Sequence, residues 1–116
     1  MKEVRVVHDT SGVPLGSRVA VADSWWRRLR GLLARPAIEK EQGLLLLDCG
    51  SVHTFGMTYP IDVAFLDGDG RVLRSIAGLR PWRVGLGGEG ATHTLELPAG
   101  RLNETGTVPG ILLRWS

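Results

Sequence analysis

Ile61-Asp62-Val63-Ala64-Phe65-Leu66 decides how this chain is read. Its apolar, largely β-branched and aromatic residues form the clearest strand in the sequence. Asp67-Gly68-Asp69-Gly70 follows, and Asp-Gly supplies the positive φ angles of a tight hairpin turn, with Arg71–Ile76 as the returning strand. Working outward, Ala91–Leu97 alternates, with Ala91, His93, Leu95 and Leu97 on one face and Thr92, Thr94 and Glu96 on the other, which reads as polar and solvated. Gly43–Cys49 carries four leucines and reads as a strand buried on both faces. Val4–Asp9, Arg18–Ala22 and Ile111–Trp115 complete the expected strands, with Thr10–Gly16 as a turn-rich connection.

One helix is expected from about Ser24 to Arg35. Trp25, Trp26, Leu29, Leu32 and Leu33 share one face at helical spacing, Ser24 suits the N-cap, and Pro36 ends the pattern. Pro98 is expected to open a short helix over Ala99–Thr105, stopped by Gly106. Ser51–Tyr59 reads as a loop with some strand character, and Arg80–Gly90, with Pro81, Trp82 and its glycines, fits no regular element. The expected architecture is a β-rich α+β domain: a mixed or antiparallel sheet with one amphipathic helix packed on it.

The chain has 116 residues, 43% of them hydrophobic and 22% charged, with a net charge of +2. That length suits one domain covering residues 1–116, and the composition excludes disorder as the main state. A single cysteine, Cys49, excludes an internal disulfide framework and a multi-cysteine zinc site. No apolar run approaches the ~20 residues of a membrane span, and Met1–Arg5 lacks a signal-peptide core, so a cytoplasmic location is expected. The pI near 9.2 comes almost entirely from arginine. Its densest cluster is Arg27, Arg28, Arg30 and Arg35, read chiefly as the solvated side of the amphipathic helix. RNA binding through Arg27, Arg28 and Arg30 is the weakest of three functional readings, and nucleic acid is not an expected partner.

Trp25–Leu33, Val52–Asp67 and Thr94–Gly100 together resemble family 192 of the domains of unknown function (DUF 192), found in bacteria and archaea. The resemblance runs from about Val19 to Leu112. Arg30-Gly31-Leu32-Leu33-Ala34-Arg35 is similar to the family's Arg-x-Gly-Leu-Met-x-Arg, with Leu33 where Met is usual. Phe55-Gly56-Met57 is similar to its Phe-Trp-Met, with Gly56 in place of tryptophan. Pro60–Asp67 and Leu95–Gly100 follow its Pro-Leu-Asp-x-x-Phe-x-Asp and Leu-Glu-Leu-Pro-Ala-Gly. Val108-Pro109-Gly110 stands where a Gly-Asp pair is usual. The resemblance implies a family and no settled activity.

Asp62 enters an apolar strand beside Ala64 and Leu66, so its carboxylate needs partners: loop amides, or an arginine such as Arg80 or Arg83. Two uses are open. In the first and favoured one, a non-catalytic small-ligand domain has a pocket of His53, Thr54, Phe55, Met57, Tyr59 and Asp62, rimmed by Arg80 and Trp82, with the Gly85–Gly90 stretch and Trp82 as its lid. In the second, a hydrolase-type enzyme uses Asp62 with His53 or Glu96 as acid and base, or the two carboxylates hold a divalent cation. Cys49 with His53 as nucleophile and base is weaker, and His8, His53 and His93 lack metal-motif spacing. No metal and no particular cofactor is implied. Tyr59-Pro60 is a candidate cis bond, and Trp115 either packs on the core or seeds a weak homodimer of an otherwise monomeric chain.

Overall fold

The computed structural model describes residues 2–22 and 38–116. The predicted helix over Ser24–Arg35 and its arginines lie outside these residues. The strands are β1 (Glu3–His8), β2 (Pro14–Ala22), β3 (Gln42–Leu46), β4 (Ser51–His53), β5 (Ile61–Leu66), β6 (Val72–Leu79), β7 (Val84–Leu86), β8 (His93–Pro98) and β9 (Leu113–Trp115), with helix α1 at Arg101–Thr105. Seven strands form one sheet in the order β6-β5-β8-β3-β2-β1-β9, and β4 pairs with β7 in a separate two-stranded ribbon. All pairings are antiparallel except β2–β3, so the large sheet is mixed.

All six residues of β5 are buried, because the strand lies inside the sheet and both faces are covered. Ala64 and Leu66 join Val4, Val6, Val19, Leu45, Leu95, Leu97 and Leu102 in one core. Ile61, Val63 and Phe65 join Ala20, Ala22, Leu44, Leu46, Val52 and Met57 in a second core across the sheet. Successive strand side chains point to opposite faces, so one chain segment feeds both cores. The short ribbon packs on the second core through its inward residues. Val52 is part of that core, and a Cβ added to Gly85 would lie 3.3 Å from the Phe65 ring and 3.1 Å from Ile76.

Several boundaries differ from expectation for identifiable reasons. β2 begins at Pro14, inside the expected turn-rich connection, because Val6 and Val7 pair with Gly16 and Pro14. Pro98 closes β8 opposite Ile61 and does not open the helix, which starts beyond Gly100. β7 lies inside Arg80–Gly90, so Gly85 belongs to a strand and not to a mobile lid. The Tyr59-Pro60 bond is trans. Trp115 packs against the first core with its ring edge-on to His93, 6.0 Å between centroids. Val108-Pro109-Gly110 makes the turn into β9, where the Gly110 N–H donates to the Val72 carbonyl at 2.8 Å.

Candidate functional site

Asp62 is fully buried and its carboxylate is completely engaged by backbone. Oδ1 accepts from Gly78 N at 2.9 Å, and Oδ2 accepts from Gly100 N at 3.1 Å and Leu102 N at 2.9 Å. Gly78 and Gly100 have φ of 65° and 92°, left-handed conformations that glycine adopts without strain and that turn both N–H groups toward the carboxylate. Helix α1 has no side-chain cap of its own at Gly100. Asp62 supplies that cap from another strand and meets the unpaired N–H groups that every helix start carries. Among the described residues its partners are thus amides alone; neither Arg80 nor Arg83 reaches it.

Glu96 lies across the sheet from Asp62. Val63 pairs with Glu96 and Asp62 with Leu97, so strand alternation sends the two carboxylates to opposite faces. They do not converge, and no acid/base pair or shared cation site forms between them. The face of β8 that carries Glu96 is buried, not solvated: Thr94 Oγ1 donates to the Cys49 carbonyl at 2.7 Å, and Glu96 is only 2% exposed between Val63 and Leu44. Its Oε2 has no hydrogen-bond partner among the described residues. Burial pushes the Glu96 carboxyl up to about 8, so it is held neutral in the folded chain at neutral pH.

The Cys49 thiol donates to the Ser51 carbonyl at 3.1 Å, and no bond joins it to His53. His93 is a structural histidine, accepting from Asp48 N at 3.1 Å through Nδ1. His8 is buried against Thr107 Oγ1 at 2.7 Å, and desolvation lowers its pKa. No group of three metal-ligating side chains occurs among the described residues.

The remaining expected residues separate into two sets. Met57 is buried in the second core, and Tyr59 packs against it half-buried. His53, Phe55 and Trp82 come together at the surface. The His53 and Phe55 rings stack with centroids 4.9 Å apart, and Phe55 and Trp82 with centroids 6.0 Å apart. Phe55 is 44% and Trp82 63% exposed. His53 pairs with Val84 and Ser51 with Leu86 across the ribbon, so the exposed Val84 and Leu86 continue the same outward face. Four of the seven large hydrophobic residues exposed among the described residues, Phe55, Trp82, Val84 and Leu86, therefore belong to this corner.

Thr54 builds the corner. It is fully buried, its hydroxyl donates to the Arg80 carbonyl at 2.6 Å and accepts from Arg83 N at 2.9 Å, and its carbonyl accepts from Trp82 N at 3.0 Å. One threonine thus holds both ends of Arg80-Pro81-Trp82-Arg83. Trp82 has φ of 61°, a left-handed conformation that costs a non-glycine residue about 1–2 kcal/mol. Gly56, where tryptophan is usual in the resembling family, has φ of 83°, and Trp82 supplies the indole that stacks on neighbouring Phe55. The sequence points to Arg83 only as a partner for Asp62 and to Leu86 only within the Gly85–Gly90 stretch, and it does not single out Arg74 or Val84. Arg74 Nη1 donates to the Leu86 carbonyl at 2.7 Å and so lies against β7.

The chain is 30% identical over 114 residues to a UPF0127 protein of Thermococcus sibiricus, covering 95% of this chain and 73% of that protein. It is 28% identical to a UPF0127 protein of Pyrococcus horikoshii, covering 95% and 97%. Among solved structures, one from Sinorhizobium meliloti, described as a proposed transcription regulator, matches with a TM-score of 0.82 at 25% identity over 97% of this chain and 92% of that one. A protein of unknown function from Novosphingobium aromaticivorans matches in fold, with a TM-score of 0.81 at 24% identity over 97% and 84%. A family model described as DUF192, uncharacterized ACR, matches residues 6–115. The chain belongs to this DUF192 family.

Proposed function

We propose that this chain is a ligand-binding domain without covalent chemistry, and that its site is the exposed row His53, Phe55 and Trp82 with Arg80 and Arg83 at its rim. One observation carries the reading. Trp82 is strained at φ 61° and yet 63% exposed, so burial of its indole does not offset the strain. Buried Thr54 holds it there. Strain retained at the surface points to use of the residue, since folding alone gains little from it. Asp62 belongs to the scaffold of this site, because its carboxylate is spent on three amides of the opposite core. The hydrolase reading has no comparable support, since Asp62 and Glu96 face opposite ways.

The test is thermal unfolding against divalent metals, nucleotides, sugars, peptides and short oligonucleotides, with Trp82→Ala beside the natural chain. A ligand at ~100 times its Kd adds about 2.7 kcal/mol, a midpoint rise of roughly 10 °C in a domain of this size. The reading expects a stabilising compound whose effect disappears in a folded Trp82→Ala protein. A stabilising compound that acts equally on both proteins overturns it.

A further inference from the structure

We infer that the aromatic corner is a stacking site for the bases of an unpaired nucleic-acid strand, with Arg74, Arg80 and Arg83 holding its phosphates. The inference rests on the ligand-binding reading above and names the class of ligand.

The occupant must match flat, exposed rings. Indole is the largest π surface a protein offers, and Trp82 is held by its backbone with most of that surface in water. Phe55 and His53 stack behind it and fix its position. Val84 and Leu86 extend the apolar surface along the ribbon. Nucleic-acid bases present a π face whatever their identity, and such stacking is worth about 1–3 kcal/mol per base.

The occupant must also be an anion. Residues 49–61 and 71–88 carry four arginines and no aspartate or glutamate. Arg71 turns away to the Gly110 carbonyl, whereas the other three belong to the corner. Arg74 lies against Leu86, Arg83 Nη1 is 3.4 Å from the Trp82 carbonyl, and Arg80 is exposed one proline before Trp82. Among the described residues none of the three is paired with a carboxylate. Arg80-Pro81-Trp82-Arg83 is a local interleaving of arginine and aromatic residues, and the fold adds Arg74, Phe55 and His53 to it from other strands. This is why nucleic acid, not expected from the arginine-rich helix, is the ligand the corner favours.

Openness selects a strand over a free nucleotide. A small ligand gains its affinity by burying most of its surface, and the Phe55 and Trp82 rings stand 44% and 63% exposed. One base stacked on exposed rings is held weakly, whereas neighbouring bases and phosphates of the same strand add contacts at high effective concentration. Stacking takes a base by its π face whatever its identity, so weak sequence preference follows.

Fluorescence anisotropy with labelled single strands of about a dozen nucleotides tests this at roughly 50 mM salt. The expected result is binding whose log K falls with log salt at a slope of about −2, from three phosphate contacts. Trp82→Ala should weaken it about 10-fold or more, and Trp82→Phe should restore most of it. Arg80→Gln with Arg83→Gln should flatten the slope by about 1.4. All variants change exposed side chains, and their unfolding midpoints verify folding. Absence of binding to any single strand overturns the inference, as does binding unaffected by Trp82→Ala. Equal affinity for a mononucleotide, or for duplex, also overturns it. A Trp82-dependent neutral ligand or acidic peptide from the thermal panel, with no strand binding, would reject nucleic acid and leave the ligand-binding reading standing.

Discussion

The carboxylate of Asp62 on β5 accepts the N–H of Leu102, 40 residues later in the chain, at 2.9 Å and thereby caps the helix that begins at Arg101. The same oxygen holds Gly100 N and its partner oxygen holds Gly78 N. The two most recognisable motifs of the chain, Pro60–Asp67 and Leu95–Gly100, are therefore two halves of one buried lock. Asp62→Asn replaces an acceptor oxygen with an NH2 group that faces donors, leaving buried N–H groups unpaired. We expect a loss of about 3 kcal/mol and a midpoint lowered by roughly 10 °C or more, read by urea and thermal unfolding. A variant that melts with the natural chain would contradict the structural role.

Gly100 makes that lock possible. Its φ of 92° and ψ of −13° are strained for any residue with a Cβ, although the nearest atom to an added Cβ, Glu104 Oε1, is 3.8 Å away and leaves room. Gly100→Ala should therefore cost about 1–2 kcal/mol through backbone conformation and not through a clash. The amide of Leu102 should exchange faster with solvent deuterium in that variant, because the capping bond is misaligned.

Glu96 predicts how stability varies with pH. Its folded value near 8 lies above the ordinary value of 4.5, so the native state holds the proton more tightly than the unfolded chain. The contribution is intact below about 4.5 and is lost as pH rises toward 8, at up to ~1.4 kcal/mol per pH unit. Denaturant titrations at pH 5 and pH 8 should find the chain more stable at the lower value. Glu96→Gln, which keeps the shape of the neutral acid, should flatten that difference. An unchanged slope in the variant would assign the pH dependence elsewhere.

Trp82 offers a test of the opposite kind. A residue kept for folding loses stability when truncated, whereas one strained for use does not. Trp82→Gly removes the stack on Phe55 but relieves φ of 61°. The two effects nearly cancel, and stability should stay within about 1 kcal/mol of the natural chain. A loss beyond ~2 kcal/mol in urea unfolding would show that Trp82 serves the fold.

How far the sequence discloses this arrangement depends on range. β5 was legible to its last residue because six consecutive positions carry the signal, and its hairpin turn shows in Asp67–Gly70, where Asp67 Oδ1 accepts from the N–H groups of Asp69 and Arg71. Glu96 misled for a local reason. Thr92 and Thr94 make its face read as polar, but the Thr94 hydroxyl is satisfied by the Cys49 carbonyl, so the face packs as a core. β4 and β7 are three residues each and pair across more than 30 positions, too short and too distant for periodicity to register. His53, Thr54, Phe55, Arg80 and Trp82 were identifiable as unusual residue types in irregular stretches. That they meet depends on Thr54 reaching Arg80 and Arg83, a contact 26 to 29 residues apart that no local pattern encodes.

The central claim is that ligand meets this chain at Trp82 and not at the family motif around Asp62. Two-dimensional NMR of the 15N-labelled chain, titrated with a single-stranded oligonucleotide, tests it most directly. The indole N–H signal of Trp82, assigned by its absence from Trp82→Phe, and the amides of His53, Phe55 and Arg83 should shift together and saturate with one Kd. The amides of Gly78, Gly100 and Leu102 should stay in place. Shifts confined to Gly100 and Leu102, or to the depression lined by Asp9, Asp69 and Trp115, with Trp82 unmoved, would contradict it.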